Sequence, residues 1–219
     1  MLKIVVFDSG YGGEFFADRL EEELPVIEII RVIDWRNADK FLKNPKEARR
    51  LAGQDLRPYI GKVDLIIFAN YLLSVTSLKY FRRKYKNQRF IGLSLIKSTL
   101  PPKDNTLILT TKAVIKTINY HNFIFHLHRK TKTIILDSWP AKIDDGELTI
   151  SEIKETLEPY INRSSRSQEI FLICSQFYDL KPELIKLFGR NLKIHDGFST
   201  LIRETCRVLK IRGGTKKLK

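Results

Sequence analysis

Apolar residues along this chain gather into short unbroken runs, and between the runs they recur at helical spacing. Residues 2–7 form the first run and residues 15–24 the first helical stretch. Residues 26–33 are a second, β-branched run closed by Asp34, 45–59 read as a helix, and 63–68 are a third run ending in Ala69-Asn70-Tyr71. A helix over 72–86 with a basic outer face and a fourth run at 90–93 follow. Unbroken apolar runs suit strands buried on both faces, and their alternation with helices implies a parallel sheet covered on both sides. Pro101-Pro102-Lys103-Asp104-Asn105 breaks the pattern, which places a boundary between residues 94 and 105.

A second series then begins. Residues 106–109 predict a strand running into Thr110-Thr111-Lys112, and 113–125 a helix. A strand at 132–136 leads through Asp137-Ser138-Trp139-Pro140 into an irregular connection. Helix 150–161, polar loop 162–168, strand 169–173, helix 181–188 with Pro182 in its first turn, and strand 192–194 complete it. Asp196-Gly197 opens a final helix to residue 209. The expected fold is α/β, with two similar parallel-sheet subdomains related by a pseudo-twofold around an interdomain cleft. Residues 1–94 with 196–209 form one half, residues 95–195 the other, and 210–219 a basic, disordered tail.

Composition narrows the function only in part. With 43% hydrophobic residues in 219, the chain can bury a core, and no apolar run is long enough to span a membrane, so a cytoplasmic protein is expected. Two cysteines, Cys174 and Cys206, are no disulfide framework, and four histidines with no ligand spacing apart from His126-x-His128, which has no Asp, Glu or Cys cluster nearby, argue against a metal. The formal charge of +14 predicts attraction to anions without choosing among a small carboxylate, an acidic protein and nucleic acid. Basic runs at 79–89, 129–132 and 210–219 carry much of it; in the first, Tyr80, Phe81 and Tyr85 interleave the cations. Such runs are most often solvated helix faces.

The chemistry concentrates at strand ends, where ligands bind in open α/β sheets. Asp8-Ser9-Gly10-Tyr11-Gly12-Gly13 forms the first strand-to-helix turn, and Phe15 stands where a dinucleotide fingerprint needs its third glycine. Asn70 with Ser74, Thr110-Thr111 and Cys174-Ser175-Gln176 occupy other strand ends. His195, directly before Asp196 at a strand end, is a further candidate: from there it could face the same cleft as Cys174 and act as a substitute acid or base.

This set of motifs resembles the aspartate/glutamate racemase superfamily, glutamate racemase most of all. Asp8 to Gly13 matches that family's Asp-Ser-Gly-x-Gly-Gly turn without a gap; Ala69-Asn70-Tyr71 stands at its Cys-Asn-Thr, Thr110 to Val114 at its Ala-Thr-x-x-Thr, and Ile173 to Gln176 at its Gly-Cys-Thr-His. Tyr120 stands at a trailing Tyr. The resemblance implies a cofactor-independent amino-acid racemase in which two thiols work on opposite faces of the substrate α-carbon. It makes Cys174 and Asp8 the candidate catalytic residues, with His195 as a further one, and Ser9, Asn70, Thr111 and Ser175 the substrate-binding ones.

The departures fall on that chemistry. Ala69 replaces the first thiol, Gln176 the histidine beside the second, Tyr71 and Val114 replace threonines, and residues around Asp39-Lys40-Phe41 replace a Pro-Tyr-Gly. Two readings stay open: a cleft enzyme with lost or altered activity, on the pattern of the superfamily's single-cysteine decarboxylases, and a non-catalytic binding protein using its basic surface. A homodimer is compatible with either.

Overall fold

The computed structural model describes residues 1–93, 106–117, 131–161, 168–189 and 192–211. The chain divides into two compact units, Met1–Ser94 with Phe198–Lys219, and Leu95–Gly197.

The first unit runs β1 (Leu2–Asp8), α1 (Tyr11–Glu23), β2 (Ile27–Ile33), a 3-10 turn at Trp35–Asn37, α2 (Ala38–Lys43), α3 (Pro45–Leu56), β3 (Leu65–Phe68), α4 (Tyr71–Lys84) and β4 (Phe90–Gly92). Its strands are parallel in the order β2-β1-β3-β4. The central positions go to the two runs with no polar residue to expose: Ile4 to Phe7 and all of β3 are fully buried. Alternation sends Val5, Phe7, Ile66 and Phe68 to one face, where Ala48, Leu51 and Leu56 of α3 and Leu73 and Phe81 of α4 cover them. Phe68 sits among Phe7, Phe81 and Phe90 at ring separations of 5.6, 5.4 and 6.1 Å. The final helix, Gly197–Leu209, joins this unit through Phe198, whose ring lies 5.0 Å from that of Phe16 on α1.

Helix starts follow from capping. The Asn70 side chain accepts from the Leu73 N–H at 3.0 Å and opens α4; Asn44 accepts from the Lys46 N–H at 2.9 Å, and Pro45 costs no hydrogen bond at the first position of α3.

The second unit runs β5 (Thr106–Thr110), α5 (Lys112–Ile115), β6 (Thr131–Ile135), helices Trp139–Asp144 and Ile150–Leu157, β7 (Gln168–Ile173), helix Lys181–Phe188 and β8 (Leu192–Asp196). Its strands are parallel in the order β6-β5-β7-β8, which repeats the first unit's order of second, first, third, fourth. The fold class is therefore α/β with two similar four-stranded parallel units.

Boundaries moved where tertiary contacts overrode pattern. α1 begins four residues before the expected start, because a helix turn built on Gly12 and Gly13 can press against β1: a Cβ at Gly13 would run into Asp8 Cβ and come within 2.7 Å of Ile33 Cδ1. The helix expected over 150–161 tightens to 3-10 at Glu158–Tyr160, where Pro159 lacks the N–H an α-turn needs. Trp139–Asp144 is helical where an irregular connection was expected, with Pro140 in its first turn and the Trp139 ring buried against Phe177. β8 extends through His195 and Asp196 by pairing with Phe171 and Leu172, so the final helix starts at Gly197. The linker region 94–105, helix positions 118–125, Tyr120, loop residues 162–167 and the tail beyond Ile211 lie outside the described residues.

Candidate active site

In the first unit the expected site residues meet at the carboxyl ends of β1 and β3. Asp8 is fully buried, and its Oδ1 accepts from the Ser9 N–H at 2.6 Å and the Asn70 side-chain amide at 2.9 Å. The same amide lies 3.4 Å from Ser9 Oγ. Asn70 thus has one end capping α4 and the other on Asp8, which fixes its rotamer. Ser74, one turn into α4, donates to the Phe68 and Asn70 carbonyls, so its hydroxyl is spent on the backbone. Ala69 is completely buried, as is nearly all of Tyr71.

A feature that sequence reasoning missed lies next to this cluster. Asp34 follows β2 and donates its backbone N–H to the Asp8 carbonyl at 3.0 Å, while the Asn37 amide reaches both its carboxylate oxygens at 3.1 and 2.8 Å. Asp55, from α3, faces Asp34. Burial first, and then the Asp34 charge and a hydrogen bond between the two carboxyl groups, raise the Asp55 pKa to about 6. Asp55 therefore keeps its proton up to about pH 6. Asp34 alone was visible at a strand end; Asp55 sits in the last turn of α3, and only the fold brings it across.

In the second unit, Thr110 closes β5 and donates to the Ile173 carbonyl at 3.3 Å, tying the ends of β5 and β7 together. Thr111 is the residue before α5, and its carbonyl accepts from Val114 and Ile115; its side chain makes no cap bond. Past β7, the half-buried Cys174 thiol donates to Gln176 Oε1 at 3.0 Å, and the buried Ser175 hydroxyl donates to the same oxygen at 3.2 Å. Gln176 therefore organises both side chains. Cys206 is also a free thiol, pushed up in pKa by burial and by Glu23, on the final helix.

His195 does not join Cys174. It lies inside β8 opposite Phe171, stacked on that ring at 4.4 Å and 14°, with Nε2 at 3.4 Å from the carboxylate of buried Glu169. Alternation puts Glu169, Phe171 and His195 on one face of the sheet, whereas Cys174 packs with Ile170 and Leu172 in the core of the other. Burial pushes the His195 pKa down, and Glu169 opposes that. The expectation that His195 substitutes for the missing thiol rested on a strand ending at residue 194; the two added residues of β8 turn its ring away.

Asp8, Ser9 and Asn70 are thus brought together in one unit, and Cys174 and Ser175 in the other. Among the described residues, no group of three or more His, Cys, Asp or Glu is placed to hold a metal ion, and no helix is long and apolar enough to cross a membrane.

No family model matches the chain. Glutamate racemase of Clostridium perfringens (strain SM101) is 26% identical over 223 residues, covering 97% of this chain and 85% of its own. Among solved structures, Escherichia coli glutamate racemase, crystallised with L-glutamate and the activator UDP-MurNAc-Ala, superposes with a TM-score of 0.77 at 17% identity, covering 98% of this chain and 84% of its own. Campylobacter jejuni glutamate racemase gives 0.75 at 22% identity, with 100% and 89% covered. The similarity to glutamate racemases, within the aspartate/glutamate racemase superfamily, thus extends over nearly the whole chain in sequence and in fold.

Proposed function

We propose that this protein binds a small anionic amino acid, glutamate being the first candidate, and moves its α-proton on one face only. Cys174 is the group that does so. As a thiolate it takes the α-proton, becoming a thiol and leaving a carbanion; the same thiol returns a proton to the same face. Net inversion needs a second acid on the opposite face, and Ala69, standing where the family has that thiol, offers none. The observation that carries this reading is the Cys174–Gln176–Ser175 arrangement. The Gln176 amide oxygen receives the thiol proton at 3.0 Å, and turning that amide over presents its NH2 to a thiolate, with the Ser175 hydroxyl then accepting. One side chain can serve both protonation states of the sulfur without titrating itself. Ser9, Asn70, Thr111 and Ser175 are proposed to hold the substrate's carboxylates, and Asp8 to fix Asn70 rather than to move a proton, since its Oδ1 already accepts two N–H groups.

The test is incubation with L- and D-glutamate, and with aspartate, in deuterated water. Deuterium incorporation at the α-carbon is followed by mass spectrometry and inversion by optical rotation. Exchange without inversion is expected, falling about a hundredfold to ten-thousandfold in Cys174→Ser. Inversion as fast as exchange would overturn the one-face reading. A second reading, a non-catalytic binding protein on this fold, is favoured by Ala69 and the charge of +14, and its signature is silence in both measurements.

A further inference from the structure

The outer face of the first unit carries a groove that the strand-end residues do not use. It lies between α3 and the last turns of α4 and has a volume of about 740 Å³. Lys46, Arg49, Arg50 and Arg57 line one side, Lys84 the other, and none of the lining residues is acidic. Arg50 is paired with Glu47 at 2.6 Å; among the described residues the other four cations have no carboxylate partner. Arg49 is nevertheless held in place, donating from Nε and Nη2 to the Thr76 carbonyl at 3.0 and 2.7 Å. Aromatic rings orient Lys84, and Arg49 as well, without neutralising them. The Lys84 ammonium lies 5.6 Å from the centre of Tyr80 and 5.2 Å from that of Tyr85, and the Arg49 guanidinium lies 5.6 Å from Tyr80. Tyr80 remains 37% exposed, against complete burial of its neighbour Phe81.

Gly53 is the second observation. It stands inside α3, three residues before the helix ends, and lines the groove; inside a helix glycine costs up to about 1 kcal/mol relative to alanine. Neither backbone nor packing calls for it: its φ is not positive, and a Cβ there would meet only Phe81 Cζ, at an ordinary 3.9 Å. What a longer side chain would do at this position is fill the groove.

The charges are strung out rather than converging on one point. At 1.5 Å per residue, Lys46 to Arg57 spans about 16 Å along α3, which is too long for one compact anion and suits a row of phosphates. Exposed Lys79, Arg83 and Lys86 continue the basic surface beyond the groove. We propose that the groove between α3 and α4 binds single-stranded nucleic acid without reading its sequence, the phosphates running along the cations and a base stacking on Tyr80. An acidic peptide would use the charges and have no use for the ring.

The inference is independent of whether any catalysis survives at Cys174. It is tested with the full chain and a fluorescein-labelled oligo(dT) of about ten nucleotides, followed by anisotropy across a salt series. The expected slope of log affinity against log salt is about −3, from about −0.7 for each of four neutralised phosphates. Arg57→Glu with Lys84→Glu is expected to weaken binding at least tenfold and to halve that slope, while Tyr80→Ala weakens it about tenfold and leaves the slope unchanged. Gly53→Leu is expected to block binding without lowering the melting temperature. Lys154→Glu with Lys186→Glu, the same change in charge on exposed sites of the second unit, is the control and is expected to have no effect. Equal losses from the two charge-reversed pairs would overturn the proposal. So would displacement of the oligonucleotide by oligoglutamate of the same length together with a silent Tyr80→Ala, which would reassign the groove to an acidic peptide.

Discussion

In the first unit the ends of β1 and β3 are joined by a buried carboxylate; at the matching place in the second, the ends of β5 and β7 are joined by a hydroxyl. Asp8 takes up the Asn70 amide and the Ser9 N–H, and Thr110 reaches the Ile173 carbonyl. The strand order is the same in both units, so topology brings the same two strand ends together twice. What differs is the strength of the tie. Charge-assisted hydrogen bonds are roughly twice as strong as neutral ones, and a buried carboxylate left unpaired is costly. The first unit is locked where its chain crosses from strand to helix. The second is tied more loosely, beside Cys174.

The largest way to break this difference is at the close approach that keeps Asp8 in place. Gly13→Ala inserts a methyl group against Asp8 Cβ and Ile33 Cδ1, and a loss of about 3 kcal/mol in unfolding free energy is expected, read from the denaturant midpoint. At the matching turn of the second unit, the short helix α5 instead carries the buried Val114 in its first turn.

Next come the ties themselves. Asp8→Ala strands the Asn70 amide and the Ser9 N–H and is expected to cost about 2–3 kcal/mol, whereas Thr110→Val, similar in shape, is expected to cost about 1 kcal/mol. Equal losses in chemical denaturation would erase the asymmetry argued from the two geometries.

The smallest effect sharpens the comparison through pH. Asp55, whose partner Asp34 hangs from the Asp8 backbone, has its pKa raised to about 6 in the fold, above its value of about 3.9 in an unfolded chain. Between those values the folded state binds more protons, so this group's contribution to stability is full below about pH 4 and is lost as pH rises through about 6. Asp55 is partly exposed, and solvent screening reduces the effect to about 1 kcal/mol. Asp55→Asn is therefore expected to stabilise the protein by about 1 kcal/mol at pH 7.5 and to flatten the fall in melting temperature between pH 4 and pH 7. An unchanged profile in the variant would show that the proton sits elsewhere.

Much of the fold was legible in the chain because unbroken runs such as residues 4–7 and 65–68 have only one comfortable place, the middle of a sheet covered on both sides. Strand-end chemistry was legible for the same reason: once a run is a parallel strand, the polar residue that ends it must sit at the carboxyl edge, as Asp8, Asn70 and Cys174 do. The helix at Trp139–Asp144 was not legible, since Asp-Ser-Trp-Pro reads as a turn until the Trp139 ring finds its place against Phe177.

Sequence by itself determined the α/β class, the doubled β-α series and the candidates at the strand ends, because each follows from local periodicity and from the chemistry of single residues. Tertiary structure alone decided which way His195 faces, that Asp55 would meet Asp34, and that Lys84, Arg49 and two tyrosines would wall a groove floored by Gly53. Each of these depends on residues far apart in sequence arriving at one place. A one-residue change of register in a strand reverses a side chain's face, and no local pattern carries that information.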